Sequence, residues 1–165
     1  MAVKKQLLME IEYIRLKDKA TVKRIIQPVG IMFSEYYFYL TAFIADIDKE
    51  DRFDNKDDIF PTIYRIDRIQ KFKVLDKHFI VPYKDRFEEG EFRKRVQFMF
   101  GGKLEKIKFQ YKGLSIESVL DRLPTAKILD EKDGVYTISA EVFGKGIDMW
   151  IRSQGDSVQI LKKEE

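Results

Sequence analysis

Residues 36–43 read YYFYLTAF, three tyrosines and two phenylalanines in one short run, and residues 63–69 read IYRIDRI. Rings beside guanidinium groups suit phosphate and nucleic-acid contact, because arginine grips phosphate as a bidentate fork and a ring offers a stacking face. On a strand, Tyr37 and Tyr39 share one face while Phe38 and Leu40 share the other. Phe38 and Leu40 are then expected in the core, and Tyr37 and Tyr39 outside. Arg65 and Arg68 are three residues apart and point to opposite faces of a regular strand, so one site uses both only if the strand bends or ends near Asp67. The competing reading is that the rings only pack a small barrel and Asp67 pairs with an arginine.

Other chemistry is thin. The chain has one histidine, His78, and no cysteine. A lone histidine beside Phe79 and Ile80 reads as a loop or core residue, and a zinc site would have to rest on carboxylates almost alone. Residues 46–58 carry Asp46, Asp48, Glu50 and Asp51, but lack the glycine and the closing glutamate of a calcium loop; a solvated hairpin loop is expected there. In FGKGIDMW (143–150) two glycines precede a helical pattern, without the third glycine of a dinucleotide fingerprint or the spacer of a P-loop, so turn chemistry is expected. No nucleophile elbow or S-x-x-K is present. The reading is no enzyme, no cofactor and no metal; a carboxylate-based activity at Asp67 or Glu141 is the remaining enzymatic option.

Composition sets the frame for those residues. The chain has 165 residues, 44% hydrophobic and 36% charged, with a formal net charge of +3. It is long enough for a real core, and its overall charge is too mild to announce nucleic-acid binding, which would need local clustering. No window approaches the roughly 18–20 apolar residues of a membrane helix, and Glu10 and Glu12 interrupt any signal-peptide h-region. Absence of cysteine fits a reducing cytoplasm.

The elements that position the rings follow from period. LMEIEYI (8–14) alternates as a half-buried strand, TVKRIIQPVGIMF is β-branched with Pro28 and Gly30 marking an edge or bulge, and YYFYLTAFIAD and FPTIYRIDRI continue the series. The first 70 or so residues therefore predict a small, strongly bent sheet or barrel. Phe92, Val96, Met99 and Phe100 then fall on a helical stripe, with Glu88, Glu89 and Glu91 before it and Gly101-Gly102 after it. Beyond residue 103 the pattern is strand (LEKIKFQYKG), helix (SIESVLDRLP, with Ser115 as N-cap), strand (AKILD), turn (130–134), strand (VYTISAEVF), helix around Ile147 and Trp150, and strand (SVQIL). That β-α-β-β-α-β order is ferredoxin-like.

Taken in order, these segments resemble the WYL domain family. Phe38-Tyr39-Leu40 resembles the Trp-Tyr-Leu signature, with Phe in place of Trp. Pro28 before a strand, and YRIDRI with Arg65, Asp67, Arg68 and Ile69, fit as well. GLSIESVLDRLPTAKI and DGVYTISAEVFGKGIDMWIRSQGDSVQIL resemble the C-terminal extension that follows many WYL domains, so the resemblance spans roughly residues 8 to 161. It implies an α+β fold: an SH3-like (Sm-type) β-barrel over 1–75, a connecting segment and helix over 76–102, and a ferredoxin-like extension over 103–165. The family implies a cytoplasmic, ligand-sensing module of a bacterial transcriptional regulator, binding single-stranded nucleic acid or a nucleotide. The ligand residues it implies are Tyr39, Arg65 and Arg68, with Tyr37 beside them. The extension implies a homodimer. No recognition-helix pair precedes the first strand, so operator DNA contact is expected through a winged helix-turn-helix not present in this chain. The alternative is a dimerisation or protein-interaction module whose aromatics are structural.

Overall fold

The computed structural model describes residues 2–16, 18–45, 61–81 and 88–164. They fall into two units, Met1–Phe87 and Glu88–Glu165. The loop expected over 46–58 lies outside the described residues.

In the first unit, alternating Met9, Ile11 and Tyr13 make β1 (Leu7–Ile14) a strand with one apolar face. It is preceded by one turn of helix, α1 (Ala2–Lys5), and followed by β2 (Thr21–Ser34), β3 (Tyr37–Ile44), β4 (Thr62–Arg65) and β5 (Ile69–His78). The sheet runs β4-β3-β2-β1-β5, each neighbour antiparallel. Ile11, Ile26, Leu40, Ala42 and Tyr64 form its core, with Met9, Tyr13 and Ile69 against them. Tyr13 of β1 and Tyr64 of β4 stand three strand spacings apart, about 14 Å on a flat sheet. Their ring centroids nevertheless lie 5.1 Å apart, edge to face, so the sheet curls around its core. The register shift between Pro28 and Gly30 helps it bend. It also reverses which face the rest of β2 presents: Pro28 shares a face with Ile26, whereas buried Met32 shares one with Tyr39.

No ladder joins β4 to β5 among the described residues. The sheet is therefore open and bent, not the closed barrel the sequence suggested; the two edges are linked by a single 3-10 turn, Ile66–Arg68. β5 runs to His78, well past the strand expected to end near Ile69, and Phe72 and Val74 on it are exposed. The His78 Nδ1–H donates to the Lys5 carbonyl at 3.0 Å, tying the end of β5 to α1.

The second unit contains α2 (Glu89–Arg95), β6 (Leu104–Tyr111), α3 (Ile116–Arg122), β7 (Lys127–Lys132), β8 (Val135–Phe143), α4 (Gly144–Ser153) and β9 (Val158–Glu164). Its antiparallel sheet runs β7-β8-β6-β9. α3 and α4 bury Val119, Leu123, Ile147 and Trp150 against Ile107, Phe109 and Ile138, with Phe109 and Trp150 5.8 Å apart edge to face. Each such side chain is worth roughly 1.5–3 kcal/mol of burial. The β7–β8 turn is tighter than the sequence suggested: only Asp133 (φ 51°) and Gly134 (φ 76°) lie outside the strands, the double positive φ of a two-residue hairpin turn. Ser115 precedes α3, but its hydroxyl donates to the Glu117 carboxylate and makes no cap hydrogen bond to the backbone.

The helix expected from Phe92 through Phe100 is shorter. It ends at Arg95, Val96 is extended, and Phe98 and Met99 adopt φ of 52° and 55° in a turn bridged by Gln97 and Phe100. Tertiary contacts override the stripe. Arg95 is held by Glu91 and Glu141, the Gln97 amide donates to the Arg122 carbonyl at 3.2 Å, and the Gln97 backbone lies against Gly146.

Candidate ligand-binding site

β3 pairs with β4 only from Tyr39 to Ala42, so Tyr39 faces Arg65 directly. Tyr37 is one pleat further towards the β2–β3 turn, on the same face, and the Arg65 guanidinium lies over its ring, 3.6 Å from the centroid. The edge of that guanidinium is closed by Asp67: Nε donates to Oδ1 at 3.0 Å and Nη2 to Oδ2. Arg65 is thus fixed in plane and position by one ring and one carboxylate.

The condition for both arginines to serve one place is met locally, because β4 ends at Arg65 and the chain turns through Ile66–Arg68. Arg68 is half-buried, and among the described residues it forms no hydrogen bond or ion pair. Its charge nonetheless acts on Tyr39 and Asp67. Burial, the largest influence, pushes the Tyr39 hydroxyl above its ordinary value against the pull of Arg65 and Arg68. Asp67 is held below the usual carboxylate value, first by the hydrogen bond from Arg65, and Arg65 is correspondingly more strongly protonated. The pair is exposed, so these directions describe local polarisation and carry little stability.

Tyr37, Tyr39 and Arg65 therefore cluster, with Arg68 electrostatically coupled to them. Asp67, read from sequence as a structural partner of an arginine or as a carboxylate for catalysis, is part of the same cluster and shares the charge of Arg65. The arrangement can present one ring face of Tyr37, the Tyr39 hydroxyl and, among the described residues, an unpaired guanidinium at Arg68.

Phe38 departs from expectation. Leu40 is buried at 4% exposure, but Phe38, two residues earlier on the same face, is 57% exposed and rests on Phe33 with centroids 5.1 Å apart. Beyond Tyr39 the β2–β3 hairpin continues without β4, so nothing in the sheet covers Phe38. Ile31 and Phe33 lie on the part of β2 beyond its ladder with β1, which ends at Ile26, and are exposed as well. Alternation assigns a face but does not show where the third strand stops.

Glycines 144 and 146 lie within α4. A Cβ on Gly144 would come within 2.2 Å of the Glu105 carboxylate, and one on Gly146 within 2.1 Å of the Gln97 carbonyl. Close packing, not turn geometry, requires them, and Glu105 already occupies the space at the start of that helix.

Residues 1–74 match the family model described as WYL domain. The whole chain is also similar to a solved structure, Proteasome accessory factor B/C (PafBC) of Arthrobacter aurescens, at 13% identity and TM-score 0.44, over 98% of this chain and 23% of that one. No curated protein matches it.

Proposed function

We propose that this chain is the ligand-sensing regulatory module of a bacterial transcriptional regulator, taking an anionic ligand such as single-stranded nucleic acid or a nucleotide at Tyr37, Tyr39, Arg65 and Arg68. The observation that carries the reading is Arg65 stacked on Tyr37 and facing Tyr39 within the WYL-matched segment. Arg65 is half neutralised by Asp67, so Arg68 supplies the unshared charge and Arg65 the orientation. Operator contact, in this reading, belongs to a winged helix-turn-helix, and the module itself performs no catalytic step. The strand order β4-β3-β2-β1-β5 supports an SH3-like, Sm-type topology for the first unit, and β7-β8-β6-β9 a ferredoxin-like one for the second, which would serve dimerisation.

Titration of labelled short single-stranded DNA, single-stranded RNA and nucleotides by fluorescence anisotropy tests the site. Binding should weaken as salt rises, and fall by roughly tenfold or more on Arg68→Ala, the scale of a lost charge-assisted bond. Binding indifferent to both Arg65→Ala and Arg68→Ala would remove the site.

A further inference from the structure

α3 and α4 both pack on one face of the second sheet. α2 covers only one end of the other face, through Phe92 on Phe143 and Arg95 on Glu141. Strand alternation puts Lys106, Lys108 and Gln110 of β6 on that other face, opposite the core residues Ile107 and Phe109. In register beside them stand Glu141, Ser139 and Thr137 of β8, opposite Lys106, Lys108 and Gln110, and Glu164 and Lys162 of β9, opposite Lys106 and Lys108. Lys106, Lys108 and Lys162 are exposed, and among the described residues the first two form no hydrogen bond or ion pair. Lys106 and Lys108 are about 7 Å apart along their strand and Lys162 about 5 Å across from Lys108 at the backbone, so three ammonium groups share one flat patch.

The patch already draws an anion from its own chain. Glu164 faces Lys106 across the β6–β9 ladder. Its carboxyl is held below the ordinary value, first by a hydrogen bond from Lys162 and then by the charges of Lys106 and Lys108. The other acids on this face are engaged or peripheral: Glu141 pairs with Arg95, and Asp130 lies on the edge strand β7.

We propose that this open sheet face contacts the phosphate backbone of double-stranded nucleic acid, with Lys106, Lys108 and Lys162 as the contacting cations and Gln110, Thr137 and Ser139 as neutral donors among them. The chemistry selects the occupant. Beyond the end under α2, no aromatic side chain among the described residues stands on the face, which removes the stacking that single strands exploit. No apolar anchor sits at its centre, as a protein partner would need. Polar, positively charged surfaces are instead the mark of interfaces with nucleic acid. Phosphate contacts position a duplex without reading its sequence, so the face would add sequence-independent affinity. Its residues belong to the second unit and those of the Tyr37–Arg65 cluster to the first, and the proposal does not rest on that cluster.

The test uses the full chain and a short labelled duplex. The triple variant K106Q/K108Q/K162Q should weaken duplex binding by at least about tenfold and make the salt slope shallower by about 2–3, with thermal melting unchanged. Glu164→Gln should tighten it severalfold, a gain that misfolding cannot produce. Arg65→Ala/Arg68→Ala should weaken single-strand binding more than duplex binding, and the triple variant the reverse, so loss of the tyrosine–arginine site and loss of this face are told apart. Duplex binding untouched by the triple variant, no gain in Glu164→Gln, or equal binding of poly-glutamate displaced by the duplex only through bulk charge competition on all variants alike would overturn the proposal.

Discussion

Arg65 lies 3.6 Å over the ring of Tyr37 while Asp67 closes its guanidinium edge. A cation held on two sides is oriented before any ligand arrives, which lowers the ordering cost of binding. It is also partly neutralised, which lowers the attraction it can offer. The two effects can be separated by substitution.

Orientation is tested at the ring. Tyr37→Phe keeps the face that Arg65 stacks on and should leave nucleotide or single-strand affinity within about twofold, whereas Tyr37→Ala should weaken it severalfold. Arg65→Lys should behave like Arg65→Ala, because an ammonium replaces neither the stacking plane nor the fork. Anisotropy titrations on the four variants decide; equal effects of Tyr37→Phe and Tyr37→Ala would show that the hydroxyl, not the ring, matters.

Neutralisation is tested at Asp67. Asp67→Asn should strengthen anion binding severalfold by releasing the charge of Arg65. Asp67 titrates below the ordinary value of 3.8, chiefly through its hydrogen bond from Arg65. Its pairing is therefore complete at neutral pH and is lost as pH falls through that lowered value. Perchlorate, the anion of a strong acid and therefore of fixed charge there, should bind the native chain more tightly across that acid window and Asp67→Asn without that step. Chemical-shift titration of the Arg65 side chain measures both.

Phe38 and Leu40 share a face but not an environment. Leu40→Ala should cost about 2–5 kcal/mol, as a buried leucine does, whereas Phe38→Ala should cost less than about 1 kcal/mol, the scale of one exposed cross-strand pair. Hydrogen exchange of the β1–β3 amides gives the readout. A large loss from Phe38→Ala would mean that the hairpin arm is packed in solution, in favour of an interaction surface there.

Gly146 and Gly144 both sit under close neighbours, yet the neighbours differ. Gly146→Ala drives a Cβ onto the Gln97 backbone and should destabilise by about 1–3 kcal/mol or more. Gly144→Ala meets the Glu105 carboxylate, a side chain that can rotate away, and should cost less. Trp150 is the only tryptophan and lies in the second core, so its fluorescence during urea unfolding reports both.

Much of the fold is legible in the chain because a local period is read at short range. The strands around Ile11, Ile107 and Val142, and the helices around Val119 and Trp150, follow from alternation or a 3.6 stripe, and Asp133-Gly134 from turn chemistry. The helix through Phe100 was not, because the contacts that end it come from Glu141, Arg122 and Gly146, residues remote in sequence. β5 was hard to read since Phe72 and Val74 alternate with Lys71 and Lys73, yet end up exposed on an edge.

The same division holds at the site. Residue types and spacing drew Tyr37, Tyr39, Arg65 and Arg68 together and left open whether they bind a ligand or pack the sheet, because side-chain chemistry and the two-residue period of a strand are properties of the chain itself. Tertiary structure decided that β4 ends at Arg65, so a 3-10 turn brings Arg68 round, that Asp67 shares the charge of Arg65, and that Phe38 stays in solvent while Leu40 is buried. A period states which way a side chain points. Only the packing of distant segments, governed by where each neighbouring strand starts and stops, determines what it meets there.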